Sequence, residues 1–126
     1  MEYIDDYNID EGLIILDYFD HSLTKEIMAR LLEIVPNIRK IHFNHWFNSE
    51  LLPGVFPDSV EEIIFKREFN QPIRPNRLPN SLQKLILGDN FNHIISNNIL
   101  PNTLKELEFG FQFNQYIEPG VLPISL

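Results

Sequence analysis

The 126-residue sequence has few residues whose types and spacing could carry chemistry, and the densest group lies between His42 and Arg67. His42-x-x-His45 has the spacing of half a metal site. No carboxylate or thiol stands at ligand spacing to complete it, and two histidines alone hold zinc poorly. Glu61-Glu62 is a carboxylate pair, but adjacent residues of an extended strand face opposite ways and cannot share a proton. The chain has no cysteine. Disulfides, thiolate zinc sites and a cysteine nucleophile are thereby excluded together. No glycine-rich phosphate loop and no Ser-His-Asp signature is present. These residues point away from an enzyme, a bound metal or a cofactor. They leave recognition as the expected task, with Trp46, the only tryptophan, as its most conspicuous residue.

Charge narrows the class of partner. Lysine plus arginine is 10 and aspartate plus glutamate is 18, a formal net charge of -8. The excess is not uniform. Residues 1–33 hold nine acids against Lys25 and Arg30, a balance of -7, whereas residues 34–126 hold nine acids and eight bases, a balance of -1. A protein that grips a nucleic-acid backbone needs a surplus of cations. The local cluster Lys66, Arg67, Arg74 and Arg77 does not supply one, so nucleic acid is not an expected partner. A basic partner would dock on the acidic amino-terminal part. No apolar run approaches the roughly 18 residues of a membrane span, and no signal-peptide pattern opens the chain.

The elements that must position these residues are legible as a repeat. Leu78-Pro79-Asn80-Ser81-Leu82 leads into Leu85 and Leu87, then Gly88, Phe91-Asn92 and Ile95. Leu100-Pro101-Asn102-Thr103-Leu104 leads into Leu107 and Phe109, then Gly110, Phe113-Asn114 and Ile117. The preceding copy runs from Phe56-Pro57 through Val60, Ile63 and Phe65 to Phe69-Asn70. A degenerate first copy runs from Val35-Pro36 through Ile38, Ile41 and Phe43 to Phe47-Asn48. Pro57, Pro79, Pro101 and Pro123 are each 22 residues apart, and so are Phe47, Phe69, Phe91 and Phe113. A period of 22 with apolar residues at L-x-x-L-x-L fits leucine-rich-repeat architecture. The last two apolar positions alternate across a short strand and point to one side. Scarce alanine (Ala29 alone) with abundant isoleucine and phenylalanine favours strands over helices. The expected fold is an α/β solenoid, an arc with about five short parallel strands and a mostly irregular convex side. Return segments holding Pro53, Pro75 and Pro119 are too short and too rich in proline and asparagine for helices.

Each repeated residue has a structural role. Phe47, Phe69, Phe91 and Phe113 are expected to stack as an internal spine. Asn48, Asn70, Asn92 and Asn114 are expected to satisfy backbone groups in a buried bend. Identical residues in every coil do the same job in every coil, so none is a catalytic candidate.

The units resemble the FNIP repeat, an atypical leucine-rich repeat of social amoebae and giant DNA viruses of amoebae. The resemblance rests on Leu78-Pro79-x-Ser81-Leu82-x-x-Leu85-x-Leu87-Gly88-x-x-Phe91-Asn92-x-x-Ile95 and its copies, over about residues 35–126. The second copy departs from the pattern, with Lys66 for the glycine and Val60 for the leucine. The resemblance implies a protein-binding solenoid, located in the cytoplasm (the host cytoplasm if the protein is viral). Many family members carry an amino-terminal F-box, which would imply recruitment of targets to a ubiquitin ligase. A purely structural role in a larger assembly is a further alternative.

Residues 1–33 lack the 22-residue motif and are expected to form an amino-terminal cap on the repeats at 34–126. Leu13-Ile14-Ile15-Leu16 reads as a buried strand. From about Ser22 to Val35 the period turns helical, with Ile27, Leu31 and Ile34 on one face. Ser22 or Thr24 could cap its start, and Pro36 ends it. The rival reading is an F-box fragment, but 1–33 has no proline and one convincing helix. A further alternative to the cap is disorder in 1–10, where Asp5, Asp6 and Asp10 are poor strand formers.

Solenoids bind mostly through the exposed sheet face and the loops at its edge. One exposed row is His42, Ile64, Ile86 and Glu108; the other is Lys40, Glu62, Lys84 and Glu106, alternating in sign as a salt-bridge ladder would. Trp46 fills a slot held elsewhere by Glu68, Asn90 and Gln112. An aromatic at a usually polar slot is a candidate hot spot, unless it packs on Tyr18 or Phe19. The expected protein-binding residues are His42, His45, Trp46, Ile64, Lys66, Arg67, Ile86 and Phe111. The chain ends at Leu122-Pro123-Ile124-Ser125-Leu126, the opening of a fifth copy. Either the chain is a fragment or its last coil is open, and an open coil or sheet edge would invite self-association.

Overall fold

The structure, a computed structural model, describes residues 3–17 and 21–126. Six strands form one sheet in sequence order: β1 (Ile4–Asn8), β2 (Leu13–Leu16), β3 (Lys40–Phe43), β4 (Glu62–Ile64), β5 (Lys84–Ile86) and β6 (Glu106–Glu108). Strands β2 to β6 are parallel, and β1 is added antiparallel to β2. The register is fixed by the repeat. His42 lies opposite Ile64, Ile64 opposite Ile86 and Ile86 opposite Glu108. A one-residue slip would turn every buried residue outward.

The alternative of disorder in 1–10 is corrected by β1 over the described residues of that stretch. Weak strand propensity is overridden by pairing: Tyr7 and Asn8 align with Ile14 and Leu13, and a bulge between Ile4 and Asp6 absorbs an irregularity. The hairpin turns at Gly12, with φ of 65°. A Cβ there would sit 2.5 Å from the Asn37 carbonyl oxygen, so glycine is required for the close approach as well. The one helix among the described residues, α1 (Lys25–Ile34), lies between β2 and β3 in the chain. Thr24 caps it: its Oγ1 accepts from the Ile27 N–H at 3.2 Å. Ile27, Met28 and Leu31 are its buried face. The helix start is held against the next return segment by Ser22, whose Oγ donates to the Glu50 carbonyl at 2.5 Å.

Elsewhere the convex side is built of turns. The N–H groups of Val60, Leu82, Leu104 and Leu126 donate to the carbonyls of Pro57, Pro79, Pro101 and Pro123, each at 3.1 to 3.2 Å. A second column stands at Gly54, Asn76, Asn98 and Gly120, all with positive φ between 63° and 87°. Glycine and asparagine adopt that backbone most readily, which explains why only these two types stand there.

The core lies between sheet and turns. Strands β2 to β5 each bury one face: Ile14 and Leu16, Ile41 and Phe43, Ile63 with Phe65, Leu85 with Leu87. Phe47, Phe69 and Phe91 are at most 1% exposed. Neighbouring rings lie 6.0 Å apart and nearly parallel, and Phe113 continues the stack 6.3 Å from Phe91. A parallel row of Phe43, Phe65, Leu87 and Phe109 packs against them, with Phe65 to Phe69 at 3.9 Å. Offset aromatic stacking and area burial act together here. Among the described residues no polar or charged residue is fully buried.

Two hydrogen-bonded columns tie coil to coil. The Asn70 N–H donates to Asn48 Oδ1 at 2.8 Å, Asn92 N–H to Asn70 Oδ1 at 3.0 Å, and Asn114 N–H to Asn92 Oδ1 at 2.8 Å. The amides bond backbone in each coil, but at the surface: Asn48, Asn70 and Asn114 are exposed, so the expected buried bend is corrected to a solvent-facing one. The second column was not anticipated. Ser59, Ser81, Thr103 and Ser125 each donate a hydroxyl to the carbonyl of the coil before, at Ile38, Val60, Leu82 and Leu104. These bonds satisfy carbonyls at turns that have no strand partner.

Candidate functional site

The unburied face of the sheet is the concave face, and alternation places its residues. Along β2 to β6 it presents Leu13 and Ile15, Lys40 and His42, Glu62 and Ile64, Lys84 and Ile86, Glu106 and Glu108. Two rows result. The first runs Ile15, His42, Ile64, Ile86 and Glu108; the second runs Leu13, Lys40, Glu62, Lys84 and Glu106. Ile15 and Leu13 are additions to the expected surface. A continuous apolar run conceals the alternation, because nothing polar marks the outward positions.

The expected salt-bridge ladder is shorter than the sequence pattern. Lys84 Nζ lies 3.9 Å from Glu62 Oε1 and 3.7 Å from Glu106 Oε2. The other Glu62 oxygen turns to His42, 2.7 Å from its Nε2. Glu62 therefore bridges Lys84 and His42, and Lys40 has no place in the described ion pairs. His42 is half-buried and engaged within the face. Among the described residues no group of three histidines or carboxylates could hold a metal ion.

The edge loops follow the strands. Glu68 N–H donates to the His45 carbonyl, Asn90 N–H to Arg67 and Gln112 N–H to Asp89, each at 2.9 to 3.0 Å. His45, Arg67, Asp89 and Phe111 thus form one row, and Trp46, Glu68, Asn90 and Gln112 the next. Trp46 is 57% exposed, and its backbone N–H donates to Asn44 Oδ1 at 3.0 Å. Tyr18 and Phe19, the suggested packing partners, lie outside the described residues. Lys66 is half-buried and Arg67 exposed. Phe111 is 91% exposed, but it stands three coils from the Trp46 loop, roughly 14 Å away by strand spacing. Geometry brings together Trp46, His45, Arg67 and Lys66 on adjacent coils and places Phe111 apart from them. At the carboxyl-terminal end, Leu107, Phe109, Phe113 and Ile117 are only partly buried, and Leu122, Ile124 and Leu126 are exposed.

A parallel sheet with one strand per 22-residue coil, a stacked interior and a turn-built convex side defines a leucine-rich-repeat-like solenoid. The family model of the FNIP repeat matches residues 19–67 and 69–112, nearly three quarters of the chain. The protein belongs to the FNIP repeat family. It is similar to the giant-virus protein CroV588, whose crystal structure is described as a novel circular LRR protein structure, with 38% sequence identity and a TM-score of 0.75. The likeness covers 86% of this chain and 15% of that one. No curated protein matches it in sequence. No helix among the described residues is long and apolar enough to cross a membrane. Repeat family and fold together support a protein-interaction module in general terms.

Proposed function

We propose that the protein binds a protein partner on the concave sheet face and the adjoining loops around Trp46, without chemistry of its own. The carrying observation is the pair Ile64 and Ile86, aligned in register on the outward face, with Ile15 in the same row beyond His42. Half-buried apolar side chains lined up on the outward face of the sheet favour a partner that covers them. Trp46, more than half exposed one loop away, supplies an aromatic anchor of the kind that dominates interface energetics. The hairpin and helix at the amino-terminal end serve in this reading as the cap that covers the first coil. They hold one helix among the described residues, and no observation favours the ubiquitin-ligase adaptor version of the same function.

Affinity capture with mass spectrometry tests the proposal when wild type is compared with two folded variants, Ile64→Thr/Ile86→Thr and Trp46→Ala/Arg67→Ala. Threonine keeps the β-branched shape and strand propensity. Loss of a hot-spot cluster weakens binding by about 2 kcal/mol or more, roughly thirtyfold. The same partner should therefore vanish from both captures. Equal recovery by wild type and both variants would place the contact elsewhere.

A further inference from the structure

Beside the concave face, the loops enclose an open depression of about 670 Å³ lined by Asp17, Trp46, Asn48 and Glu68. Three successive coils contribute to it. Asp17 directly follows β2, Trp46 lies past β3, and Glu68 is the residue of the next coil in the slot that Trp46 occupies. An exposed indole thus shares the depression with two carboxylates. Asp17 Oδ1 accepts from Asn44 Nδ2 at 3.3 Å, and Glu68 Oε2 accepts from Asn90 Nδ2 at 3.5 Å. Glu68 enters none of the ion pairs among the described residues. Basic residues are near in sequence, namely His45, Lys66 and Arg67, but none of them lines the depression.

We propose that this depression receives an arginine side chain of the protein partner. The inference rests on the reading that the edge loops take part in protein binding, and it names the chemistry recognised there. An indole face attracts a cation through its quadrupole. A guanidinium is planar and weakly hydrated, so it stacks on the ring while its in-plane N–H groups reach carboxylates at the rim. An ammonium offers no plane to stack and holds its water more tightly. Residues 1–33, from which Asp17 comes, carry a balance of -7, which steers a basic segment toward this end of the arc.

Trp46 is the only tryptophan, so its fluorescence reports the site directly. The probe is a short glycine-serine peptide with one arginine, titrated against the full chain. Two control peptides carry lysine or citrulline, which keeps arginine's shape without its charge, at that position. Arginine should give a saturable change in Trp46 emission, lysine a weaker one and citrulline none. Glu68→Gln and Asp17→Asn keep the amide contacts to Asn90 and Asn44, and each should weaken the arginine peptide about fivefold. Equal titration by the citrulline or lysine peptide would overturn the proposal. So would the absence of a saturable change, or a response that both carboxamide variants leave intact, which would report only the diffuse negative charge. If the arginine peptide is refused while partner capture still depends on Ile64 and Ile86, this inference falls and the concave-face reading stands.

Discussion

The interior columns and the concave face are made by the same four coils, yet they obey opposite rules. Inside, Phe47, Phe69, Phe91 and Phe113 repeat without change. Outside, His42, Ile64, Ile86 and Glu108 share one register row and no chemistry. A coil can stack on its neighbour only where both present the same surface, so stacking forces identity upon the inner positions. Nothing forces it upon the outer ones. In a repeat protein the residues that break the period therefore carry what is particular to the molecule. Trp46 breaks it in the edge loops, and Ile64 and Ile86 break the polar character of the sheet face.

The comparison is open to a direct challenge. Phe69 sits between Phe47 and Phe91, each ring centroid 6.0 Å away, and is 1% exposed. Phe69→Ala removes that ring from a packed column, and the coils on either side cannot close the gap without breaking register. The expected loss is about 3 to 5 kcal/mol by urea denaturation. Ile86→Thr, on the outward side of β5, should cost about 1 kcal/mol or less. If the two variants lose similar stability, the division between a structural interior and a functional exterior fails.

A smaller effect sharpens the same division at the edge between the two regions. Gly88 follows β5, and a Cβ built there would lie 1.6 Å from the Lys66 carbonyl oxygen. Two coils approach backbone to backbone at this point, so Gly88→Ala must push them apart. Overpacking of this kind costs about 1 to 3 kcal/mol. Gly110 repeats the contact against Gly88, with 2.5 Å from its Cβ position to the Gly88 carbonyl oxygen. In both pairs the glycine that is needed stands on the later coil. Gly88→Ala should lower stability without changing the affinity of the folded protein for its partner.

How much of this was legible in the sequence follows from the same contrast. Parallel strands, register, the phenylalanine stack and the single helix all arise from periodic residues, and a period can be read without coordinates. Residues that repeat in type but vary in letter were harder. Serine and threonine at 59, 81, 103 and 125 form one hydroxyl column, and glycine and asparagine at 54, 76, 98 and 120 form one left-handed column, yet neither looks like a ladder until its backbone is seen. Strand β1 was hidden because pairing with β2 outweighs the poor propensity of Asp5 and Asp6. The candidate site was least legible. Asp17 and Glu68 belong to different coils and different slots, and only the stacking of loops brings both to Trp46.

The smallest expected effect concerns the charged row that lies between the two regimes. Its signs alternate as a structural ladder would, yet its residues face outward with the variable positions. Lys84 is the hinge of that row, 3.9 Å from Glu62 and 3.7 Å from Glu106. Lys84→Gln removes both contacts but leaves Glu62 its bond to His42 at 2.7 Å. Glu106 is well exposed, so water takes over its carboxylate at little cost. The loss should stay below about 1 kcal/mol at low salt. It should shrink further in 1 M salt, where the Debye length is roughly 3 Å. A salt-insensitive loss of several kcal/mol would mean that the row locks the coils in register, and it would then belong with the phenylalanine spine. A small, screened loss assigns it to the exterior, where its alternating charges are free to select a partner.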